Sequence, residues 1–251
     1  MERSGDKADE EQFPLGFWTM SFTERFTQIR DRVDAAAREA GRDPSDVRIL
    51  PVSKTFPAAT VAGAWSELQD FGCDTFAENR VQEASEKASL LDGPRWAVIG
   101  PLQTNKASQL VAFASEFHAL DRPKVAGALQ RKLEEADRTL EVFIQVNSSD
   151  EPQKAGFTID EAREFAAELG PEGPYPRLIP RGFMTMAMLS TDDDAIRRCF
   201  SRTRALRDEV ADGDFLSELS MGMSGDFELA IAEGATTIRV GQAIFGERPA
   251  N

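Results

Sequence analysis

Residues 47–55 read Val47-Arg48-Ile49-Leu50-Pro51-Val52-Ser53-Lys54-Thr55, an apolar strand pattern that stops at a lysine and a hydroxyl. A helical pattern follows at 58–70 and a second short strand pattern at 75–77. That order repeats down the chain. Strand patterns lie at 47–53, 75–77, 96–99, 117–120, 140–146, 178–184, 215–220 and 237–240. Helical patterns separate them at 58–70, 81–91, 105–114, 123–137, 159–169, 193–211 and 227–233. Strands alternating with helices imply right-handed crossovers and a parallel sheet. Eight such units favour closure, so the expected fold is α/β, a single TIM-like (β/α)8 barrel. An additional N-terminal helix is expected at 22–40, where Phe22, Phe26, Ile29, Val33 and Ala36 recur at helical spacing and Gly41 ends the pattern. Residues 1–20 read as a flexible tail and 21–251 as one barrel domain.

The side-chain period of a strand sets what enters the barrel. In the first strand Leu50, Val52 and Lys54 share a face, and in the last Thr237, Arg239 and Gly241 do. Branched Ile238 and Val240 then meet the helices, which leaves Arg239 pointing inward. Pro51 donates no ladder hydrogen bond, and a bulge is expected there.

A chain of 251 residues, 41% hydrophobic, can bury a full barrel core. Its net charge of −14 repels nucleic acid and anionic membrane. Cys73 and Cys199 form no metal-spaced pattern and read as two reduced thiols. The single histidine, His118, argues against a histidine-based zinc site and a Ser/His/Asp triad together; it sits in Phe117-His118-Ala119-Leu120 and reads as a satisfied strand residue. There is no apolar run of ~20 residues to span a membrane. The segment 1–11 lacks the order of a signal peptide, so a cytoplasmic location is expected.

A lone lysine at a strand end is ordinarily a solvated charge. Held among strand ends at a barrel mouth it is partly desolvated, and its neutral amine can attack an aldehyde. Two turns near the other end of the chain change its meaning. Ser220-Met221-Gly222-Met223-Ser224-Gly225-Asp226 and Arg239-Val240-Gly241-Gln242 follow strands seven and eight, where such barrels bind phosphate. The helix at 227–233 would offer an anion its N-terminal N–H groups, although Ser224 or Asp226 could equally be a plain N-cap. Arg239 would pair with a carboxylate such as Glu78 or Asp226, or face a ring nitrogen that an always-charged guanidinium keeps unprotonated. Aldehyde-seeking amine, phosphate cradle and arginine together suggest pyridoxal 5′-phosphate (PLP). Asn79 is a further candidate, for the ring hydroxyl or the lysine. Lys106 and Asn105 read equally as a helix start, and Lys154 as a solvated loop lysine.

Several motifs occur in order: Val52-Ser53-Lys54-Thr55, Phe76-Ala77-Glu78-Asn79, Ile99-Gly100-Pro101-Leu102-Gln103-Thr104-Asn105-Lys106, Lys154-Ala155-Gly156, the 220–226 turn and Ile238-Arg239-Val240-Gly241-Gln242-Ala243-Ile244-Phe245-Gly246. Together they resemble the pyridoxal phosphate homeostasis protein family, whose fold is similar to the barrel domain of alanine racemase. The resemblance implies that Lys54 carries PLP as a Schiff base, that Ser224 and the Gly241 turn hold the phosphate, and that Arg239 faces the ring nitrogen. The expected cofactor-binding set is Lys54, Asn79, Met223, Ser224, Gly225, Arg239, Gly241 and Gln242, with no catalytic and no metal-ligating residue. The chain departs from the family pattern at Ala77, Arg80, Ala97 and Gln242. The last replaces a hydroxyl residue at the phosphate turn, leaving that contact to backbone N–H groups.

Three functions use such a site: a non-catalytic carrier in PLP homeostasis, a PLP-dependent amino-acid racemase, and a Schiff-base aldolase on a phosphosugar. Racemisation needs a base on each face of the cofactor plane. Lys54 serves one, while Tyr175, in Gly173-Pro174-Tyr175-Pro176 before the sixth strand, falls at the wrong end of the barrel. Arg239 has no evident part in an aldolase. The carrier is the expected reading, a monomer with apo PLP-dependent enzymes as its recipients.

Overall fold

The computed structural model describes residues 20–170 and 172–246. All but the last residue of the tail expected at 1–20 lies outside them. The elements in chain order are α1 (Phe22–Glu39), β1 (Arg48–Pro51), α2 (Ala58–Leu68), β2 (Thr75–Glu78), α3 (Val81–Leu90), β3 (Arg95–Val98), α4 (Ala107–Phe113), β4 (Glu116–Leu120) and α5 (Pro123–Glu135). Then come β5 (Leu140–Val146), α6 (Ile159–Glu168), β6 (Leu178–Thr185), α7 (Asp193–Val210), β7 (Glu218–Ser220), α8 (Phe227–Ala232), β8 (Thr237–Val240) and α9 (Gln242–Phe245).

The strands form one parallel sheet in the order β1-β8-β7-β6-β5-β4-β3-β2. It closes at a thin seam: Val52 bridges Ala77, and Ser53 N–H donates to the Ala77 carbonyl at 2.9 Å. Pro51 explains the thinness. β1 pairs with β8 without a register shift, Pro51 opposite Val240, so the expected bulge is absent. Val52 N–H donates to Val240 O at 2.8 Å and Arg48 N–H to Thr236 O, so even-numbered donors of β1 serve β8. By the two-residue alternation, Pro51 nitrogen faces β2, where a donor is missing but no β8 bond is lost.

α1 starts at a capping box of Ser21 and Glu24 and buries Phe26, Ile29, Val33 and Ala37 as one stripe. Each of the larger three stabilises the fold by about 1.5–3 kcal/mol on burial. α1 packs on α8, α9 and α2, so it fills the place in the helical ring that four-residue α9 is too short to cover. β7 is shorter than the pattern at 215–220 because the chain turns first. Asp212 and Phe215 form an antiparallel bridge, and Leu216 takes a positive φ of 53°.

Strand parity divides the interior as the alternation predicts. Leu50, Val52, Ala77 and Ala97 pack together inside the barrel with Ile99 against them. Ile49, Phe76, Val98, Phe117, Ile238 and Val240 join the larger core between sheet and helices.

Candidate functional site: the barrel mouth and the polar core beneath it

At the C-terminal ends of the strands lies a cavity of about 340 Å³, within the range of small-cofactor sites. Lys54, Asn79, Met223, Ser224, Gly225, Arg239, Gly241 and Gln242 all line it, so the eight residues picked from sequence converge on one space. Val52, Phe56, Ile99, Gln145, Met184 and Met186 complete much of the wall. These went unnoticed in sequence, although Val52, Met184 and Gln145 lie at or near the C-terminal ends of recognised strands.

Lys54 is half-buried one step beyond the seam. Phe56, two residues on, stacks on Phe245 of α9 with ring centroids 5.3 Å apart. Phe245 in turn meets Phe22 at 5.9 Å and Phe76 at 6.2 Å, which ties the lysine loop, the last turn and α1 together. Asn79 approaches the third strand's exit closely: a Cβ at Gly100 would lie 2.0 Å from Asn79 O.

The phosphate-cradle candidates fold differently from a plain helix N-terminus. α8 is six residues long, and both Asp226 N–H and Phe227 N–H donate back to Met223 O, at 3.1 and 3.0 Å. Asp226 does not cap the helix; its Oδ1 accepts from Met223 N at 2.6 Å and closes the turn. Two N–H groups at the helix start are thus used within the turn, while Ser224 and Gly225 at its tip line the cavity. Gly222 is required for packing, since at φ 93° a Cβ would meet Ala230 at 2.7 Å, whereas Gly225 faces open space. Across the cavity, Gln242 and Ala243 open α9, where backbone N–H groups have no intrahelical acceptor.

Arg239 is buried at 4% exposure, and among the described residues no carboxylate is in hydrogen-bonding contact with it. Its Nη1 donates to Ser220 O at 2.6 Å and to Ser220 Oγ at 2.9 Å; Nη2 donates to Thr185 O at 2.9 Å. Glu78, one partner anticipated for it, points outward to Ser53 and Lys87 instead. Asp226 acts on it only through charge. Burial lowers the Arg239 pKa to about 10, and Asp226 opposes the shift, so the group remains a cation at neutral pH.

The contact with Ser220 continues downward. Ser220 Oγ accepts from Arg239 and lies 2.9 Å from His118 Nδ1; with complete burial disfavouring an imidazolium and Glu116 accepting at Nε2, Nδ1 is left as the acceptor of the Ser220 proton. His118 Nε2–H then donates to Glu116 Oε2 at 2.9 Å, and Arg48 grips Glu116 with both terminal nitrogens, at 3.1 and 2.8 Å. Burial is what favours the neutral imidazole. Its pKa accordingly lies below the ordinary value, because complete burial outweighs the attraction of Glu116. Burial pushes the Glu116 carboxyl up, but the His118 hydrogen bond and the Arg48 guanidinium outweigh it and hold the carboxyl well below the usual range. His118 also lies against Phe143, with ring centroids 4.1 Å apart.

The other sequence candidates are elsewhere. Lys154 pairs with Glu151 at 2.5 Å and donates to Ala187 O; Lys106 ends the 3-10 turn Thr104–Lys106 before α4. Tyr175 packs on Phe165 at 5.8 Å, before β6 and away from the mouth. Among the described residues, no group of three or more His, Cys, Asp or Glu could hold a metal ion. Nor is any helix long and apolar enough to cross a membrane.

A barrel with an amine, a guanidinium and two glycine-containing turns at its mouth defines a class, and comparison with known proteins gives that class a family. Residues 26–249 match the family model described as alanine racemase, N-terminal domain. The pyridoxal phosphate homeostasis protein of Pseudomonas aeruginosa is 38% identical over 231 residues, 91% of this chain and 96% of that one. The protein of the same name in Escherichia coli is 37% identical, over 88% of this chain and 94% of its own length. Among solved structures, PipY of Synechococcus elongatus without PLP superposes with a TM-score of 0.78 at 33% identity, covering 90% of this chain and 100% of PipY. PipY with PLP bound gives a TM-score of 0.74 at 32% identity, with the same coverage. Alanine racemase of Clostridium difficile, at 15% identity and a TM-score of 0.66, shares the fold over 90% of this chain and 57% of its own. The chain belongs to the pyridoxal phosphate homeostasis protein family.

Proposed function

We propose that the chain binds PLP at this mouth, with the aldehyde carbon joined to Lys54 as a Schiff base, and serves PLP homeostasis in the cytoplasm as a carrier or regulator rather than an enzyme. One observation carries the reading. A single cavity gathers a half-buried lysine, a guanidinium with no carboxylate in hydrogen-bonding contact among the described residues, and two glycine-containing turns, which the aldehyde, ring nitrogen and phosphate of one PLP could each use. The names of the bacterial relatives and the PLP bound by PipY support the choice of cofactor.

Each residue has a part that its geometry allows. Lys54 supplies the amine. The Ser224–Gly225 tip and the first turn of α9 supply donors for a dianion, and there the Gln242 side chain replaces a hydroxyl. Arg239, held from below by Ser220, keeps a positive charge where the ring nitrogen would lie and so disfavours its protonation. PLP, when bound, supplies an electron-accepting ring, and an unprotonated nitrogen weakens that capacity.

The carrier reading is supported by the cavity wall. Among the described residues that line it, Lys54 is the single side chain with ordinary general-base chemistry; the other polar ones are Asn79, Gln145, Ser224, Arg239 and Gln242. His118 is sealed in the chain beneath and Tyr175 lies away from the mouth, so the opposite face of the cofactor plane has no second base. The test is incubation of PLP-loaded protein with several L-amino acids, followed by chiral chromatography. Conversion at ~1 s⁻¹ or faster, an ordinary enzymatic rate, would replace the carrier with a racemase. Apo PLP-dependent enzymes are the proposed recipients, and a monomer the proposed state.

A further inference from the structure

A second lysine lies behind the first. Lys87, on α3, is buried at 4% exposure and has three acceptors: Ser53 O at 2.9 Å, Glu78 Oε1 at 2.5 Å and Glu83 Oε1 at 2.8 Å. Ser53 and Glu78 face outward from β1 and β2 by the same alternation that sends Lys54 inward. Glu78 Oε1 also accepts from Ser53 Oγ at 2.6 Å, while Glu78 Oε2 has no partner among the described residues. Glu83 Oε1 also accepts from Thr55 N–H at 2.7 Å. Thr55 holds a positive φ of 73°, a conformation that is strained for a non-glycine residue and persists where surroundings impose it.

These contacts bracket Lys54. Its preceding residue is fixed at three atoms, by Ala77 O, Glu78 and Lys87, and its following residue is pinned in a left-handed turn by Glu83. The bracket has a cost: it buries a lysine and a carboxylate for a loop that apolar residues could pack more simply. Such a cost is understandable if the direction of the Lys54 side chain matters.

We propose that Lys87, Glu78 and Glu83 form a positioning clamp for the lysine that bonds the cofactor, holding the backbone on both sides of Lys54 so that its amine meets the aldehyde carbon. None of the three lines the cavity, so the clamp acts through the backbone. The inference rests on Lys54 being the attachment point.

The test separates attachment from occupancy. Pyridoxamine 5′-phosphate carries an amine in place of the aldehyde and uses the phosphate and ring contacts without bonding to Lys54. Two changes open the clamp: Glu83→Ala, at a side chain 27% exposed, and the double change Lys87→Met with Glu78→Gln, which leaves no unpaired buried charge. In either protein, once circular dichroism has shown a wild-type fold, PLP affinity and borohydride-trapped pyridoxyl on Lys54 should fall about tenfold, as expected when a reacting group loses its orientation. Affinity for pyridoxamine 5′-phosphate should stay within about twofold, less than 0.5 kcal/mol. Glu83→Gln keeps an oxygen for Thr55 N–H and should restore PLP binding. The clamp is overturned if PLP and pyridoxamine phosphate affinities fall together, if neither changes, or if both opened proteins fail to fold. A wild-type protein that traps no pyridoxyl on Lys54 would instead overturn the attachment site itself.

Discussion

The two halves of the barrel interior are made of opposite materials. Toward β1, β2 and β3 the filling is small and apolar, with Leu50, Val52, Ala77 and Ala97 buried against one another. Toward β4, β7 and β8, starting from Arg48 at the bottom of β1, it is an ordered chain, Arg48–Glu116–His118–Ser220–Arg239, that reaches the cavity. The difference teaches how an arginine can be held at a mouth without a carboxylate beside it. A direct ion pair would fix Arg239 but also neutralise it. Here the carboxylate that ends the hydrogen-bonded chain is three side chains away, Asp226 acts through charge without contact, and what touches the guanidinium is a hydroxyl and two carbonyl oxygens. Its position is fixed while its charge stays available to a ligand.

Breaking the polar half should hurt most. Glu116→Ala leaves the buried His118 N–H without an acceptor, at about 1–3 kcal/mol, and Arg48, whose side chain is 36% exposed, without its partner, at up to ~1 kcal/mol more. Urea denaturation should show the loss, whereas a cost under 1 kcal/mol would mean that the chain contributes little. Next comes the upper end of the site. Ser224→Ala should weaken PLP binding by about 1.5–3 kcal/mol, the worth of one hydrogen bond to a charged group. Fluorescence titration with PLP reads it, and wild-type affinity would remove Ser224 from the phosphate site.

The apolar half sharpens the contrast. Ala97→Leu adds volume where 0% of the residue is exposed, and should cost about 1–3 kcal/mol by overpacking at every pH. The polar half responds to pH instead. His118 stays neutral in the fold but takes up a proton near pH 6.5 when unfolded. A depressed native pKa gives stability that is fully present above the unfolded value and is lost as pH falls. Stability should therefore drop below pH 6.5 by up to ~1.4 kcal/mol per pH unit from this group. In His118→Gln that component of the slope should vanish. Equal slopes in the two proteins, measured by denaturation at pH 7.5, 6.5 and 5.5, would mean that the native histidine ionises freely.

Much of the site was legible because strand exits and strand parity are written in a period of two. Lys54, Arg239 and the turns after β7 and β8 could be placed at one mouth with no contact known. The polar chain could not be read, because its members come from four strands and only the barrel brings them together; His118 showed that it would be satisfied, not by what. Pairing Arg239 with Glu78 failed for a reason parity could have supplied: with Ala77 inward, Glu78 must point out. Lys87 was overlooked as one more helical lysine. Its signal was present, since Val81, Ala84 and Lys87 fall on one buried stripe and Glu83 stands four residues before it. The turn before α8 misled because a glycine-rich loop followed by a helix predicts free N–H groups, and here Met223 O uses two of them.

The measurement that bears most directly on the central claim is the chemistry of Lys54. Purified protein is loaded with PLP, reduced with borohydride and digested, and the pyridoxyl group is located by mass spectrometry beside a Lys54→Ala control. The wild-type protein should be yellow with the label on Lys54, and Lys54→Ala should be colourless and folded and still bind pyridoxamine 5′-phosphate. A label found chiefly on Lys106 or Lys154, or a Lys54→Ala protein as yellow as the wild type, would contradict the claim.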